Sequence, residues 1–405
     1  MRIWGLGALL LLSLAGPAFA ETASSDAAAA IAAATKNADA SSGTQAAVSL
    51  DRHFTTNALD SDLAFSDFYR ELRGSLFHTF KQSNGYIRLG GAFRATSYDR
   101  IRIEDDRSLI LLAEAYRHLT DRIELRGTLT WRLASIGDDL RIGDLAIGTR
   151  TRSNDFGGAL QAGIDLGGGN ALILEAGDTV ERYGKARFQD DLIRPAKIEP
   201  DRNRLALGAT WRHTDGRLRY GVAVSAAFVN TEKLGDPPIA YSLANYVLRG
   251  EIHYETAGGT AIEASLGVAM LKGAHGIYEE TRPAYSLLVK QPLKGGIELR
   301  GSLTGSYDLL DGDDPLAGWR QRLEFEANFP LGEAVAFGIG VFHQREDNLF
   351  LGNTERSNGV YLEFDYAVRK DTTLVARADF SECRTSVVDT RKKTLDTFLG
   401  FRTKL

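Results

Sequence analysis

The stretch that decides the fold is residues 122–133, RIELRGTLTWRL, in which polar side chains alternate with apolar side chains or Gly. Ile, Leu, Gly, Leu, Trp and Leu fall on one side of an extended chain, and Arg, Glu, Arg, Thr, Thr and Arg fall on the other. A helix through these residues would place charge all round its surface. The period of two instead predicts a β-strand with an apolar and a polar face, typical of a strand between lipid and an aqueous lumen.

The same period recurs along most of the chain. It is clear in 297–308, IELRGSLTGSYD, and in 319–329, WRQRLEFEANF. Further strands are predicted near 67–81, 86–98, 107–118, 155–166, 171–182, 202–213, 218–230, 244–255, 261–272, 280–291, 334–345, 357–368, 372–383 and 393–405, with a weaker first strand at 45–56.

Short turns rich in Gly, Asn and Asp alternate with longer segments between these strands, as expected for tight hairpins. Eight short turns, such as 82–85 and 167–170, join sixteen strands, and a first and a last strand raise the number to eighteen. We therefore predict an all-β fold, a transmembrane antiparallel up-and-down β-barrel of about 18 strands over residues 45–405, with 16 strands as the alternative. Bacterial barrels have short periplasmic turns, so both termini are expected in the periplasm.

The first 44 residues have a different character. Residues 1–20 combine Arg2, an apolar run and a final Ala18-Phe19-Ala20, which predicts a secretory signal peptide. Residues 21–44 are rich in Ala and Ser and contain few large apolar groups, which predicts a disordered periplasmic segment.

The bulk composition narrows the class further. A mean hydropathy of −0.19 with 43% hydrophobic residues argues against a bundle of transmembrane helices. A net charge of −5 gives no reason to expect nucleic acid as a partner, and the lone Cys383 argues against a disulfide framework or a Cys-based zinc site. A soluble β-sandwich or propeller is the alternative architecture, but it needs a polar outward face, whereas here one face is continuously apolar or Gly.

Together these features resemble Gram-negative outer-membrane β-barrels: a signal peptide, alternating hairpins and a C-terminal strand at 393–405. The resemblance is at the level of class, and it implies contact with outer-membrane lipid and lipopolysaccharide and insertion by the barrel assembly machinery. Such strands usually finish on an aromatic residue, whereas this one finishes on Leu405. Aromatic residues near the strand ends predict interfacial girdles; they are Trp131, Trp211, Tyr220, Tyr254, Tyr307 and Trp319.

The polar face of the strands is unusually rich in charge, and in a barrel it lines the lumen. Its members either neutralise one another in cross-strand pairs or form a charged constriction that sorts solutes. The arginines at 122, 126 and 132, with those at 88 and 94 nearby, favour anionic or hydroxyl-rich solutes. The candidate lumen-lining residues are Arg73, Arg88, Arg94, Arg122, Glu124, Arg126, Arg132, Arg249, Glu251, Glu298, Arg300, Arg320, Arg322, Glu324, Glu326, Arg377 and Asp379.

Catalytic and metal-binding motifs are missing from the sequence. The seven histidines have no ligand spacing, and neither a G-x-S-x-G elbow nor a Walker loop occurs. We therefore expect no enzymatic activity, no cofactor and no metal.

Two channel functions remain, with a structural, adhesive or enzymatic barrel as a third. The first is export of an exopolysaccharide through a polar lumen, which would need a separate periplasmic export protein. The alternative is a porin-like diffusion or uptake channel for small solutes. A porin usually folds a long loop into its pore, and the candidates are 134–154 and 183–201. Because these loops look short and the charge extends along the whole wall, the sequence narrowly favours export.

Overall fold

The computed structural model describes residues 43–404 except 59–63, 143–144, 190–192, 236–238, 275–277, 310–316, 350–351 and 387–389. Over these residues eighteen long strands form one antiparallel sheet that closes on itself. The sheet closes where β1 (Gly43–Thr55) pairs with β19 (Thr390–Lys404). The prediction of an up-and-down barrel is confirmed. The signal peptide and nearly all of the segment 21–44 lie outside the described residues.

The strands between the two closing strands follow in chain order, and each long strand pairs with the next. They are β2 Asp67–Gln82, β3 Gly85–Tyr98, β4 Arg107–Thr120, β5 Ile123–Ile142, β6 Leu145–Gly167, β7 Asn170–Tyr183, the two-residue β8 Arg187–Phe188, β9 Arg202–Asp215, β10 Leu218–Thr231, β11 Ser242–Glu255, β12 Ala261–Gly273, β13 Glu279–Pro292, β14 Glu298–Leu309, β15 Ala317–Pro330, β16 Val335–Asn348, β17 Asn353–Arg369 and β18 Thr372–Thr385.

The outward face of the barrel carries large apolar side chains that remain exposed. Leu129, Leu266, Phe325 and Phe401 are all more than half exposed, and similar residues occur on every side of the barrel. A soluble protein does not leave so much apolar surface in water, whereas a membrane barrel presents such a belt to lipid. No helix among the described residues is long and apolar enough to cross a membrane.

The two ends of the barrel differ. One end, called the turn end below, carries the short predicted turns; at the β9–β10 turn Gly216 has a φ of +57°, which a side chain would strain. The opposite end, called the loop end, carries the longer connections. By the rule for bacterial barrels, the turn end corresponds to the periplasmic side.

The prediction of a loop at 134–154 is wrong, because this segment continues β5 and β6 as a hairpin beyond the barrel wall, paired as far as Ile142 opposite Leu145. Its glycines make the extension possible, because the β3–β4 connection packs against them. A Cβ at Gly137 would lie 1.8 Å from the Ile103 carbonyl oxygen, and one at Gly148 would lie 2.8 Å from the Ile103 side chain. The same glycines gave the segment the composition of a loop.

The segment 183–201 does not fold into the pore over its described first half. The Gly184 N–H donates to the Arg152 carbonyl at 2.8 Å, and Arg187–Phe188 pairs with Thr149 and Arg150 on β6. The segment therefore extends the wall along the β5–β6 hairpin. Residues 134–142 and 145–154 are therefore paired strands, and residues 187–188 pair with the second of them.

Candidate functional site in the lumen

The lumen face of β2 to β6 carries arginines that are neutralised by carboxylates from the same wall. Glu71, almost fully buried, lies between Arg73 and Arg94, with Arg94 Nε 2.6 Å from Glu71 Oε2. Arg126 Nε lies 3.5 Å from Glu114 Oε1 on β4. This arrangement agrees with mutual neutralisation of charge along the wall.

The C-terminal half of the wall repeats this pattern. Arg377 lies between Glu363 and Asp379, and its Nη2 is 2.7 Å from Asp379 Oδ1. Three further contacts on the wall join Arg249 to Glu251, Arg300 to Glu326 and Arg322 to Glu324. Because each pair lies on the polar face of the wall, a solute would meet alternating charges rather than one field of a single sign.

Two predicted lumen residues differ from the rest. Arg88 is fully buried, with its guanidinium 5.0 Å from the centre of the Phe77 ring and Nη2 donating to Gln45 Oε1 at 3.1 Å. Arg122 lies in the turn between β4 and β5 and is exposed at the turn end, just before the first residue of β5, so its place on the lumen wall stays a prediction.

The other candidates alternate with outward apolar residues in the strand register and therefore face the lumen; their role in selectivity stays a prediction. They are Arg73, Arg94, Glu124, Arg126, Arg132, Arg249, Glu251, Glu298, Arg300, Arg320, Arg322, Glu324, Glu326, Arg377 and Asp379.

Near the loop end, the wall splits between β13 and β14. Their pairing stops at Tyr285 opposite Gly305, although β13 continues along β12 to Glu279 and β14 continues along β15 to Leu309. Beyond the split, the ends of β14, β15 and β16 are free to leave the cylinder. They lean inward, as the side-chain contacts of this region show.

An apolar cluster joins the leaning strands to the inner wall. Tyr307 and Trp319 belong to the outward-facing sets of β14 and β15, yet they pack with Leu271 and Ala284, which belong to the lumen-facing sets of β12 and β13. Trp319 is 3% exposed and Tyr307 5%. Because an outward face here contacts an inward face, the ends of β14 and β15 lie on the lumen side of β12 and β13. We call the paired ends of these two strands, residues 306–309 of β14 and 317–320 of β15, the inner hairpin.

Polar contacts hold the inner hairpin in the same position. Arg282 on β13 donates through Nη1 to Asp347 Oδ2 on β16 at 3.0 Å, and its guanidinium lies 5.5 Å from the centre of the Trp319 ring. The Tyr307 hydroxyl donates to Glu280 Oε2 at 3.3 Å. These contacts bridge the split and satisfy polar groups that the apolar cluster would otherwise leave without partners.

On the lumen side, the inner hairpin carries its own charges. Arg320 lies between Asp308 and Glu346, with Nη1 2.7 Å from Asp308 Oδ2 and Nε 3.1 Å from Glu346 Oε2. Of the sequence-predicted lumen residues, Arg320 is therefore the one placed on the inner hairpin.

A cavity of about 550 Å³ lies on the lumen side beside the split. Its described lining comes from β7 and from β9 to β14. The charged side chains that line it are Glu175, Arg204, Arg212, Arg219, Arg249, Glu251, Glu263, Arg300 and Asp308. Arginine and carboxylate groups are nearly balanced in number, but the greater part of the cavity surface is apolar, so the lining combines paired charges with apolar groups.

The inner hairpin corrects part of the predicted aromatic girdle. Trp211, Tyr220 and Tyr254 are exposed on the outward face, but Tyr307 and Trp319 are buried in the cluster. Sequence reasoning also missed Glu280, Arg282 and Asp347. The sequence around Pro315 is polar and indicates a longer connection at 309–318, but it does not indicate that the adjoining strand ends lie inside the barrel.

Comparison with known proteins gives similarity in structure alone. No protein-family model and no curated protein matches the sequence. Among solved structures, a copper transporter, OprC, aligns with a TM-score of 0.54 at 10% identity over 90% of this chain and 80% of that chain. OccK2 (OpdF) of Pseudomonas aeruginosa gives 0.51 at 14% identity, over 89% and 98% of the two chains. A point mutant of the ferric enterobactin receptor PfeA from the same organism gives 0.51 at 9%, over 90% and 81%.

The three solved structures share the barrel fold of this chain. The closed barrel, its outward apolar belt and its similarity to outer-membrane proteins agree on one class. The chain is a Gram-negative outer-membrane β-barrel with a polar, charge-lined lumen.

Proposed function

We propose that this barrel is a porin-like channel through which small polar solutes cross the outer membrane. The observation that carries the proposal is the inner hairpin, which brings Tyr307 and Trp319 against the inner wall and sets Arg320 on the lumen side. A barrel of eighteen strands is wide enough for an aqueous channel, and an element folded inward restricts that channel to small solutes.

The solved structures of similar fold support the uptake alternative. OprC is described as a copper transporter and PfeA as a ferric enterobactin receptor, and both descriptions name small solutes. These two barrels and that of OccK2 each align with about nine-tenths of this chain. The similarity is in fold, so the solute of this protein has to follow from its own lumen.

Polysaccharide export, which the sequence narrowly favours, is the weaker proposal once the inner hairpin is considered. The sequence favours export because its loops are short for a pore loop and its charge extends along the whole wall. The inner hairpin fills that role with strand ends instead of a loop. A narrowed passage with fixed Arg–carboxylate contacts suits small solutes better than a sliding polymer.

Conductance of the purified protein in planar lipid bilayers tests the proposal. We expect stable ohmic channels whose current is reduced by small neutral polymers that enter the lumen and unaffected by large ones. In cells, deletion of the gene should slow the uptake of small solutes and leave surface polysaccharide unchanged. A closed, non-conducting barrel, or loss of surface polysaccharide with normal solute permeability, would contradict the proposal.

A further inference from the structure

Three metal-ligating side chains meet on the lumen wall beside the closure of the barrel. Asp51 and His53 lie on β1, and Glu71 lies on β2. One ligand atom from each lies within 4.8 Å of the others. Asp51 is 5% exposed, His53 8% and Glu71 1%, so the three groups are withdrawn from solvent.

The cluster contains buried atoms without hydrogen-bond partners. Asp51 Oδ1 and His53 Nε2 have no partner among the described residues. A buried polar atom left without a partner costs about 1–3 kcal/mol, and here two occur side by side. The two atoms do not hydrogen-bond to each other, and an ion that accepts an electron pair from each of them would remove this cost.

The surrounding residues fix the ligands in place. The His53 ring stacks on Tyr69 at a centroid distance of 4.3 Å and contacts Phe398 at 4.9 Å. Asp51 Oδ1 occupies the space beside Gly400 on β19, where a Cβ would lie only 1.6 Å away. Both ligands are therefore held against β19, at the seam that closes the barrel.

We propose that Asp51, His53 and Glu71 form a binding site for a first-row divalent transition-metal ion such as Zn²⁺. One imidazole nitrogen and two carboxylates are a donor set that suits such ions. Metal–ligand bonds of about 2.0–2.2 Å need the three donors closer than they stand, which small rotations of the side chains supply. The ion would join β1 to β2 next to the β1–β19 seam.

Two arginines modulate this site. Arg73 contacts Glu71 Oε1 and Arg94 contacts Oε2, and Arg94 orients the carboxylate as outer-shell groups do at metal sites. Arg73, with 46% of its side chain exposed, also competes with a cation for Glu71 Oε1. Arg73→Gln removes that competition and should tighten metal binding, which an adventitious surface site elsewhere would not do.

The full-length barrel, without a histidine tag, is stripped of metal and kept in detergent. Titration with Co²⁺, followed by visible absorption, then tests the site. Zn²⁺ titration calorimetry gives the affinity, and Zn²⁺ should raise the thermal unfolding midpoint by mass action. We expect one equivalent of bound ion. His53→Phe keeps an aromatic ring between Tyr69 and Phe398 but removes both nitrogens, and it should weaken binding by about tenfold or more.

His253→Phe is the matched control, because His253 also faces the lumen beside a carboxylate, with Nδ1 3.5 Å from Glu263 Oε1. It should bind Co²⁺ like the wild type. Asp51→Asn, which keeps the shape of the side chain, provides a second variant if His53→Phe does not fold. Undiminished binding in the folded variant, or no binding by the wild type, would overturn the site. Neither result bears on conductance, so the channel proposal is tested separately.

Discussion

Arg282 Nη1 lies 3.0 Å from Asp347 Oδ2, although two strands separate β13 from β16 and the two side chains belong to opposite faces of the sheet. Such a contact is impossible in a regular cylinder, where an outward residue cannot reach an inward one. It forms because the ends of β14 to β16 lean over the inner wall. This ion pair therefore reports the position of the inner hairpin directly.

Arg282→Ala should loosen the inner hairpin and raise single-channel conductance. The substitution leaves Asp347 without its cross-wall partner and removes the cation from the Trp319 ring. Loss of such a part-buried interaction costs about 1–3 kcal/mol. Every 1.4 kcal/mol changes the ratio between the inner hairpin held against the wall and the inner hairpin released from it about tenfold. Arg52→Ala is the control, since it removes an Arg–Asp pair from the outward face. Equal conductance in both variants would mean that the hairpin does not limit the passage.

Trp319→Ala should destabilise the barrel far more than a tryptophan-to-alanine change on the lipid face. Trp319 is 3% exposed and meets Tyr307 edge to face at 4.8 Å. Truncating a buried tryptophan costs about 3–5 kcal/mol in a core that cannot collapse. The free energy of unfolding by urea in detergent measures the change, with Trp211→Ala, at a residue 38% exposed, as the control. A loss no larger than that of Trp211→Ala would place Trp319 outside the core.

The barrel was predictable from sequence because the membrane imposes a local pattern. Every second residue of a spanning strand must meet lipid, so a run such as Ile123, Leu125, Leu129 and Leu133 encodes its face without knowledge of distant contacts. Tight turns with Gly at positive φ then set the hairpins in order. The strand count and the lumen-facing positions follow from these two local rules.

The inner hairpin was not predictable in the same way. Alternation shows that Tyr307 and Trp319 share a face with Leu303 and Leu323, but not that the strand ends lean inward and bury that face. The lean depends on partners distant in sequence, Leu271 and Arg282 among them. The Asp51–His53–Glu71 cluster has partly the same origin. A spacing of two residues places Asp51 and His53 on one face of β1, but only the register between β1 and β2 brings Glu71 opposite Asp51.

Arg126→Gln should shift the ion selectivity of the channel toward cations. Arg126 faces the lumen beside Glu114, so its removal deletes one positive charge and leaves a carboxylate without its partner. In a narrow passage such fixed charges determine which ions are concentrated. The reversal potential under a KCl gradient measures the shift, and Arg117→Gln on the exposed outward face of β4 is the control. An unchanged reversal potential would show that the ions pass elsewhere in the lumen.

At the loop end, Lys197 and Asp201 of the β7–β9 connection contact Glu232 of the β10–β11 connection. Lys197 Nζ donates to Asp201 Oδ1 at 2.7 Å and also contacts Glu232. Burial alone would raise the pKa of the Asp201 carboxyl, but the hydrogen bonds from Lys197 and from the Tyr183 N–H outweigh it, and the net pKa lies below the ordinary value. The stabilisation is therefore complete above about pH 4 and is lost as the pH falls through the lowered pKa.

Lys197→Met should reduce this pH dependence, while the Tyr183 N–H and Arg182 still lower the pKa of Asp201 in the variant. At pH 7 the variant is expected to unfold in urea with a free energy lower by about 1 kcal/mol or less, as for a partly exposed ion pair. The difference from the wild type should shrink toward pH 3, because protonation of Asp201 removes the same interaction from the wild type. Lys185→Met changes an exposed lysine of the same connection and should match the wild type throughout. A difference that stays constant between pH 7 and pH 3 would show that Lys197 stabilises the loop end through packing and not through its charge.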